Sequence, residues 1–299
     1  MARTRFRNDR GLTARMGVVA TLLVVLYLGV TAGLVVALPQ YSVLIALIAI
    51  GLGWAQWYYS DKVAVRVMRA REVTAEQAPE LHAVIDRLVA LADMPKPRVA
   101  VSDTDLPNAF ATGRSPSHSV VCVTTGLLRR LDADEVEAVL AHELSHVAHR
   151  DVSVMTVAST LGVLAGLIMR WGLFFGGGGR DRNNAVVFIA VWVASIAVYA
   201  ISFLLTRALS RYRELSADRA AAYLTGRPSA LASALTKISG DIARIPSRDL
   251  RAAEPMNAFF IAPALSGRSV GALFSTHPPL EQRLAQLAQV STDLGRPTG

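Results

Sequence analysis

Four long apolar runs constrain the fold of this chain more than any other feature. Residues 16–38 and 43–59 form one closely spaced pair, residues 152–169 and 185–205 form another, and none of the four runs contains a charged residue. Each is about long enough to cross a hydrocarbon core of ~30 Å as a helix. Because 52% of the residues are apolar and the mean hydropathy is +0.37, membrane segments are expected. The first run exceeds a signal-peptide core and leads almost directly into the second, which predicts a retained hairpin.

The basic residues flanking the runs predict their orientation, since cytoplasmic loops are rich in Lys and Arg. Before the first run lie Arg3, Arg5, Arg7, Arg10 and Arg15. After the second run lie Lys62, Arg66, Arg69 and Arg71. After the fourth run lie Arg207, Arg211, Arg213 and Arg219. The chain is therefore expected to be a multi-pass protein of the plasma (inner) membrane. Both termini and the segment between the hairpins are expected in the cytoplasm. The alternative is that the third and fourth runs are buried helices of a large soluble core.

The net charge of +8 fits a lipid partner better than a nucleic acid. Arginines gather beside the apolar runs, and no basic patch interleaved with aromatic residues is present, so anionic headgroups are the expected counter-charge. The single cysteine, Cys122, excludes an intrachain disulfide and a cysteine-based zinc site. It is predicted to be a buried strand residue, with a reactive thiol as the alternative.

The soluble segments predict a small α+β domain that is split by the second hairpin. Apolar residues recur at helical spacing in residues 74–92, and Asp132 followed by Glu135 resembles a capping box that opens another helix. Short β-prone stretches at 99–101, 109–112 and 120–125 suggest a small sheet. The resulting divisions are a basic tail and hairpin (1–60), a first domain part (61–151), a second hairpin (152–205) and a second domain part (206–299). The loop at 176–184 and the irregular segment at 245–275 have no assigned role.

A metal-binding motif lies on the helix that follows Asp132. His142 and His146 are four residues apart, so both imidazoles project from one helix face, and Glu143 can reach a metal-activated water without being a ligand. This spacing is typical of zinc metalloproteases, although a chance match on an amphipathic helix is the alternative. The metzincin continuation fails, because His149 and Val152 occupy the positions that it requires to be Gly and His.

Glu214 and Asp218 supply the E-x-x-x-D pattern of a distant third ligand. Glu214 would bind the metal, and Asp218, one turn later, would hydrogen-bond a ligand imidazole. Two crossings between His146 and Glu214 return the chain to its starting side, so both helices are expected at one cytoplasmic surface. A solvated acidic helix face is the alternative for this pair.

The ordered motifs NAFATG (108–113), HELSHVAHRD (142–151), RYRELSAD (211–218) and THPPLEQR (276–283) resemble those of the HtpX-type membrane metalloproteases. These are gluzincins related to the type I CAAX prenyl proteases. The resemblance covers nearly the whole chain and implies a four-span protein with a gluzincin-type zinc protease domain. It implies one Zn²⁺ per chain held by His142, His146 and Glu214, with Glu143 as the catalytic base.

The resemblance also assigns substrate contacts and a biological role. It implies an oxyanion stabilised by His277 and Arg283, and a substrate backbone bound near an edge strand. The substrate-binding segment comprises Asn108, Ala109, Phe110, Ala111 and Thr112. From the residues alone, a turn position explains Asn108 and His277 better than a functional role, because each adjoins proline. The implied substrates are polypeptides, above all misfolded or damaged membrane proteins.

Two other classes of function are less well supported by the residues. A zinc-stabilised membrane scaffold or regulator has no need of a base such as Glu143, since structural sites close the fourth coordination position. A small transporter would require charged residues within the spans, and the four runs contain none.

Overall fold

The computed structural model describes residues 10–37, 39–149, 182–244 and 277–295. The described chain is mostly helical with one small mixed sheet. It divides into two compact units, each of which draws on separated parts of the sequence. Described residues 13–37, 39–59 and 182–209 belong to the first unit, and 10–12, 60–149, 210–244 and 277–295 belong to the second.

The first unit is built from apolar helices. Helix α1 covers Arg10–Ala37, a 3₁₀ turn covers Pro39–Tyr41, and helix α2 covers Ser42–Val67. The hydroxyl of Tyr27 donates a hydrogen bond of 2.6 Å to the carbonyl of Ala49, which joins the two helices. Leu23 is fully buried and packs against Leu205 of helix α6, which covers Arg182–Thr225.

Within the described residues, two helical segments are long and apolar enough to cross a membrane: Arg10–Gly33 and Pro39–Tyr59. Many of their large apolar side chains are exposed, with Val25 at 62% and Ile50 at 71%. Such surfaces are costly in water and suit lipid. The third predicted run (152–169) lies outside the described residues. The fourth (185–205) lies within α6, and its membrane crossing remains a prediction.

The second unit contains a four-stranded sheet in the order β1-β2-β4-β3. The strands are β1 (Ala70–Glu72), β2 (Arg98–Ser102), β3 (Ala109–Ser115) and β4 (His118–Thr124). The β1/β2 and β3/β4 pairs are antiparallel, whereas β2 and β4 are parallel. The predicted β-prone stretches 99–101 and 109–112 fall within strands, and 120–125 does so except for Thr125, which begins a helix. Strand β1 was not predicted, because three residues with two charges give no alternating pattern.

The turn between β3 and β4 depends on Gly113. Its φ of +146° is disfavoured for other residues, and a Cβ there would lie 2.3 Å from the carbonyl oxygen of His118. The register shifts between Gly113 and Ser115, which marks a bulge at this end of the hairpin. Strand β3 is thereby held at one edge of the sheet.

Helices cover the sheet and enclose the core of this unit. They are α3 (Pro79–Ala92), α4 (Thr125–Arg130), α5 (Ala133–Ala148), α7 (Pro228–Arg244) and α8 (Leu280–Gly295), together with the end of α6. Helix α5 is central, because it contacts α3, α7, β3 and β4. Leu140 and Leu144 of α5 are fully buried beside Leu231, Leu235 and Leu287. Cys122 is also fully buried in β4, as predicted.

Candidate metal centre

Helix α5 fixes the positions of three buried polar side chains. It begins with the predicted capping box: Asp132 accepts a hydrogen bond from the Glu135 amide, and the Glu135 carboxylate accepts one from the Asp132 amide, both at 3.0 Å. Two turns later, His142 is 1% exposed, Glu143 5% and His146 6%. Burying three such groups together is costly unless each has a partner.

The ligand candidates converge on one point. The Nε2 atoms of His142 and His146 lie 3.3 Å apart, and each lies 3.4 Å from a carboxylate oxygen of Glu214. All three residues are buried and offer ligand atoms within 4.8 Å of one another, so this cluster could bind a metal ion. A tetrahedral ion that binds donors at about 2.0–2.1 Å separates them by about 3.3 Å. The two imidazoles and one carboxylate therefore fit zinc in both donor type and spacing.

Helix α6 contributes Glu214 and, one turn later, Asp218. Asp218 is fully buried, and its Oδ1 lies 2.9 Å from Nδ1 of His142. A carboxylate at this position favours a proton on Nδ1 and leaves the lone pair of Nε2 directed at the metal position. The other side of Asp218 binds Arg283 of α8 through two hydrogen bonds, Nε to Oδ2 at 2.7 Å and Nη2 to Oδ1 at 2.6 Å.

These contacts decide which groups carry charge. Burial acts to raise the pKa of Asp218, but the Arg283 guanidinium outweighs it, so the pKa lies below its ordinary value. Burial likewise opposes ionisation of Glu214, yet the charge of His277 and hydrogen bonds from three histidines hold its pKa well below the ordinary range. Both carboxylates are therefore ionised, as a metal ligand and its supporting acceptor must be.

Glu143 differs from the other carboxylates in its environment. Burial raises its pKa, and the neighbouring His142 and His146 only partly counteract that effect. Its Oε2 accepts a hydrogen bond of 3.0 Å from the backbone amide of Ala111 in β3. A carboxylate with a raised pKa beside a metal position is suited to accept and return a proton near neutral pH.

His277 and Arg283 also reach this cluster. Nδ1 of His277 lies 3.0 Å from Oε2 of Glu214, and Nη2 of Arg283 lies 3.9 Å from the same oxygen. Both side chains are buried, at 7% and 2% exposure. The structure therefore brings two widely separated parts of the predicted site, α5 and residues 277–283, to one ligand carboxylate.

The predicted substrate-binding segment lies on the edge strand. Asn108 is fully buried and pairs with Thr124: its amide donates to the Thr124 hydroxyl at 2.9 Å, and its carbonyl accepts from the Thr124 amide at 2.9 Å. The side chain of Phe110 packs away from the site in a small cluster with Met68 and Cys122. Since alternate residues of an edge strand face outward, the outward backbone groups belong to Ala109, Ala111 and Gly113. The Ala111 amide is taken by Glu143, and Thr112 is 4% exposed.

One buried residue at the centre was not singled out from the sequence. Arg213 is 8% exposed, and its Nη2 lies 3.5 Å from Nδ1 of His146. The available signal was its place directly before Glu214 in the RYRELSAD motif. In the sequence, Arg213 is also explained as one of the basic residues that follow the fourth apolar run.

A family model and individual relatives both relate this chain to proteases. The model of the family described as "Peptidase family M48" matches residues 75–291. "Protease HtpX homolog 1" of Streptomyces coelicolor is 60% identical over 98% of this chain and 97% of its own. "Protease HtpX homolog" of Moorella thermoacetica is 53% identical over 98% of each chain.

One solved structure shares the fold. The crystal structure of S. mikatae Ste24p matches with a TM-score of 0.51 and 17% identity, covering 89% of this chain. The chain corresponds to only 62% of the Ste24p chain. At this identity, the match supports the fold alone.

Proposed function

The chain belongs to peptidase family M48, and from this membership we propose that it is a membrane-embedded zinc endopeptidase. Family membership makes it a metalloprotease, and its relatives are named as HtpX proteases. The observation that carries the proposal is the buried convergence of His142, His146 and Glu214 within 4.8 Å, with Glu143 beside them.

The proposed ligands are His142, His146 and Glu214, which would hold one Zn²⁺ per chain. When bound, zinc supplies Lewis-acid chemistry, because it polarises a carbonyl group and lowers the pKa of a coordinated water towards about 7. Asp218 holds the His142 ring in its ligating tautomer, and Arg283 fixes Asp218 in turn. His146 is positioned from the other side by Arg213.

Glu143 is proposed as the general base. Its Oε2 is oriented by the Ala111 amide, so the second carboxylate oxygen is the one placed to take a proton from the attacking water. The same carboxyl group then returns the proton to the departing amine. Its raised pKa makes Glu143 a stronger base for the first step, and the amine that then receives the proton is more basic than the carboxylate.

The substrate would lie extended along β3. Its main chain would pair with the outward backbone groups of Ala109 and Gly113 and with the carbonyl of Ala111, whose amide binds Glu143, and Asn108 and Thr112 lie within the same segment. His277 and Arg283, which lie 3.0 and 3.9 Å from Oε2 of Glu214, are proposed to stabilise the negative charge that develops on the substrate carbonyl in the transition state.

The remaining proposals concern the membrane. We place four spans in the plasma (inner) membrane, with the termini and the protease domain in the cytoplasm. Support comes from the two apolar helices, their exposed apolar side chains and the distribution of basic residues. A site near the bilayer suits misfolded or damaged membrane proteins as substrates, which is a quality-control role.

A cleavage assay on the purified full chain tests the function. In detergent and with zinc, the wild type should cleave an unfolded test protein such as reduced casein. Glu143→Gln should keep stoichiometric zinc while activity falls by at least about 10²-fold, since a general base contributes that much or more. Glu281→Gln, an exposed glutamate on α8, should behave as the wild type. Unchanged cleavage by Glu143→Gln would refute the base assignment.

The same assay discriminates the alternative of a non-proteolytic zinc scaffold. A scaffold would bind zinc and show no zinc-dependent cleavage in the wild type. The hydrogen bond that orients Glu143 argues against it, because a structural zinc site has no use for an oriented free carboxylate.

A further inference from the structure

A basic pocket lies on the second unit, away from the metal centre. Its volume is 470 Å³, and its charged lining residues come from the end of α2, the adjoining β1 and the start of β2. They are Asp61, Lys62, Arg66, Arg69, Glu72 and Arg98. The proposed proteolytic reaction uses none of them.

The pocket has an excess of positive charge. Arg98 is held in its wall by two carboxylates: Nη2 lies 2.5 Å from Oδ2 of the buried Asp61, and Nη1 binds Glu72. With Lys62, Arg66 and Arg69 the lining contains four cationic side chains and two carboxylates. Across the described residues, no acidic side chain forms an ion pair with Arg66 or Arg69. The pocket therefore favours an anionic ligand.

The backbone of Arg69 is a second, independent observation. Its φ of +49° is left-handed, and its amide donates to the Arg66 carbonyl at 3.1 Å where the helix ends. Glycine or asparagine normally occupies this capping conformation, because a side chain with a Cβ is strained there. An arginine in this conformation costs stability relative to glycine, which motivates a functional hypothesis for its side chain.

The position along α2 identifies the source of the anion. Trp54, Trp57, Tyr58 and Tyr59 form an aromatic group, with Trp54 stacked on Tyr58 at 5.0 Å. Such residues mark the membrane interface, and the apolar window ends at Tyr59. At 1.5 Å per residue, Lys62 lies ~5 Å and Arg66 ~10 Å beyond that end, whereas the headgroup layer is about 5–8 Å thick. The long side chains of both residues reach this layer.

We propose that this pocket binds the phosphate group of an anionic phospholipid headgroup. Arginine guanidinium groups suit phosphate oxygens because they donate paired hydrogen bonds. The pocket volume accommodates a headgroup. The proposal rests on the membrane insertion of α2 given above.

Native mass spectrometry of the full chain in detergent tests the proposal. With dioleoyl phosphatidylglycerol added, we expect one lipid retained per chain, and far less retention of dioleoyl phosphatidylcholine. Each arginine near a lipid surface contributes about fivefold, so Arg66→Gln should weaken retention about fivefold and Arg66→Gln/Arg69→Gln about thirtyfold. The matched control is Arg71→Gln, an exposed arginine of β1 outside the pocket, which should change retention less than about twofold.

The Arg69→Gly variant distinguishes a role of Arg69 in lipid binding from a role in ending helix α2. Glycine suits the left-handed capping position, so the melting temperature should stay equal or rise while lipid retention falls about fivefold. If Arg69 served only to end α2, retention would not change. Arg66 lies in the last turn of α2, where a basic residue also stabilises the helix, but that role alone would leave lipid retention intact.

Two further measurements complete the test. Inorganic phosphate at 10 mM should compete only weakly with the lipid; if it displaces phosphatidylglycerol completely, the assignment to a lipid is overturned. Alkaline extraction of membranes tests insertion separately from the headgroup site. If the chain stays in the membrane but retains both lipids equally, the headgroup site alone is refuted. If alkali releases the chain, membrane insertion and the lipid assignment are refuted together, while the metal centre is unaffected.

Discussion

At the scale of single residues, the candidate metal centre is a set of buried charged groups around the imidazoles of His142 and His146. Glu214 and Asp218 are held ionised by His277 and Arg283, and each faces an imidazole nitrogen. Glu143 is set apart by its raised pKa and by its backbone donor, Ala111. One residue type, glutamate, therefore serves in two proposed roles, because the surroundings of its two positions differ.

Asp218→Asn tests the support of the ligand His142. An amide can present its NH₂ group to Nδ1 and favour the other tautomer, and it leaves Arg283 without its buried counter-charge. We expect zinc affinity and activity to fall about 10- to 100-fold, as is usual when the hydrogen-bond partner of a ligand is lost. Zinc competition with a chromogenic chelator measures the affinity. Asp293→Asn, an exposed aspartate of α8, is the control, and equal zinc affinity in both variants would contradict the assigned role.

Cys122 provides a test of the packing of the sheet. Burial raises the pKa of its thiol to about 12, so at pH 8 the thiolate fraction is about 10⁻⁴ in the folded protein. A thiol reagent should therefore react slowly with the native chain and rapidly after denaturation. Because the chain has one cysteine, labelling followed by mass spectrometry reads this site alone. Complete labelling of the native protein within minutes would show that β4 is not buried as described.

The candidate site residues could be proposed from the sequence where chemistry and spacing are local, and their roles stay predictions. His142, Glu143 and His146 follow from a five-residue pattern, and Glu214 with Asp218 from another. Arg213 was missed, because a basic residue after an apolar run is also explained by membrane topology. The Arg283 contact with Asp218 could not be derived from spacing, since 65 residues separate the partners.

At the scale of secondary structure, α5 is the element on which the site depends. Its capping box is also a tertiary contact, because the Glu135 carboxylate binds Ser233 at 2.6 Å and Lys237 at 2.6 Å, both on α7. Glu135 is 2% exposed. The start of the ligand helix is thus fixed to a second helix as well as to its own first turn.

Glu135→Ala should destabilise the second unit without touching the metal centre. It removes half of the capping box and the hydrogen bond that the exposed Ser233 hydroxyl donates to Glu135, a loss of about 1 kcal/mol. Glu135→Gln is the matched variant, since glutamine also completes a capping box and should cost less. Thermal unfolding of the zinc-loaded chain in detergent measures both. If the alanine variant melts with the wild type, the cap does not stabilise the helix as argued.

The elements were predictable to different degrees. The capping box and the apolar pattern located α5, and alternation located β2, β3 and β4 approximately. Helix α3 begins only at Pro79, because Thr74 and Gln77 form a turn through hydrogen bonds with each other. The parallel pairing of β2 with β4 was not predictable, since it joins strands that are not consecutive along the chain.

At the scale of the whole molecule, the second unit is assembled from described segments that are far apart in the sequence, 60–149, 210–244 and 277–295. Glu214 and Asp218 lie on α6, the same helix that contains the fourth apolar run, and His277 and Arg283 follow much later. Local patterns locate the individual elements of such a unit but not the contacts between its segments. Two membrane crossings between His146 and Glu214 would return both helices to one side, and this topology stays a prediction.

The central claim is that two histidines and a remote glutamate hold one zinc ion. The most direct test is metal analysis of the full chain together with X-ray absorption at the zinc edge. The account predicts one zinc per active chain, bound by two imidazole nitrogens and carboxylate oxygen at about 2.0–2.2 Å, and loss of that ion in Glu214→Ala but not in Glu281→Ala. Active protein without stoichiometric metal, or an unchanged zinc shell in Glu214→Ala, would contradict it.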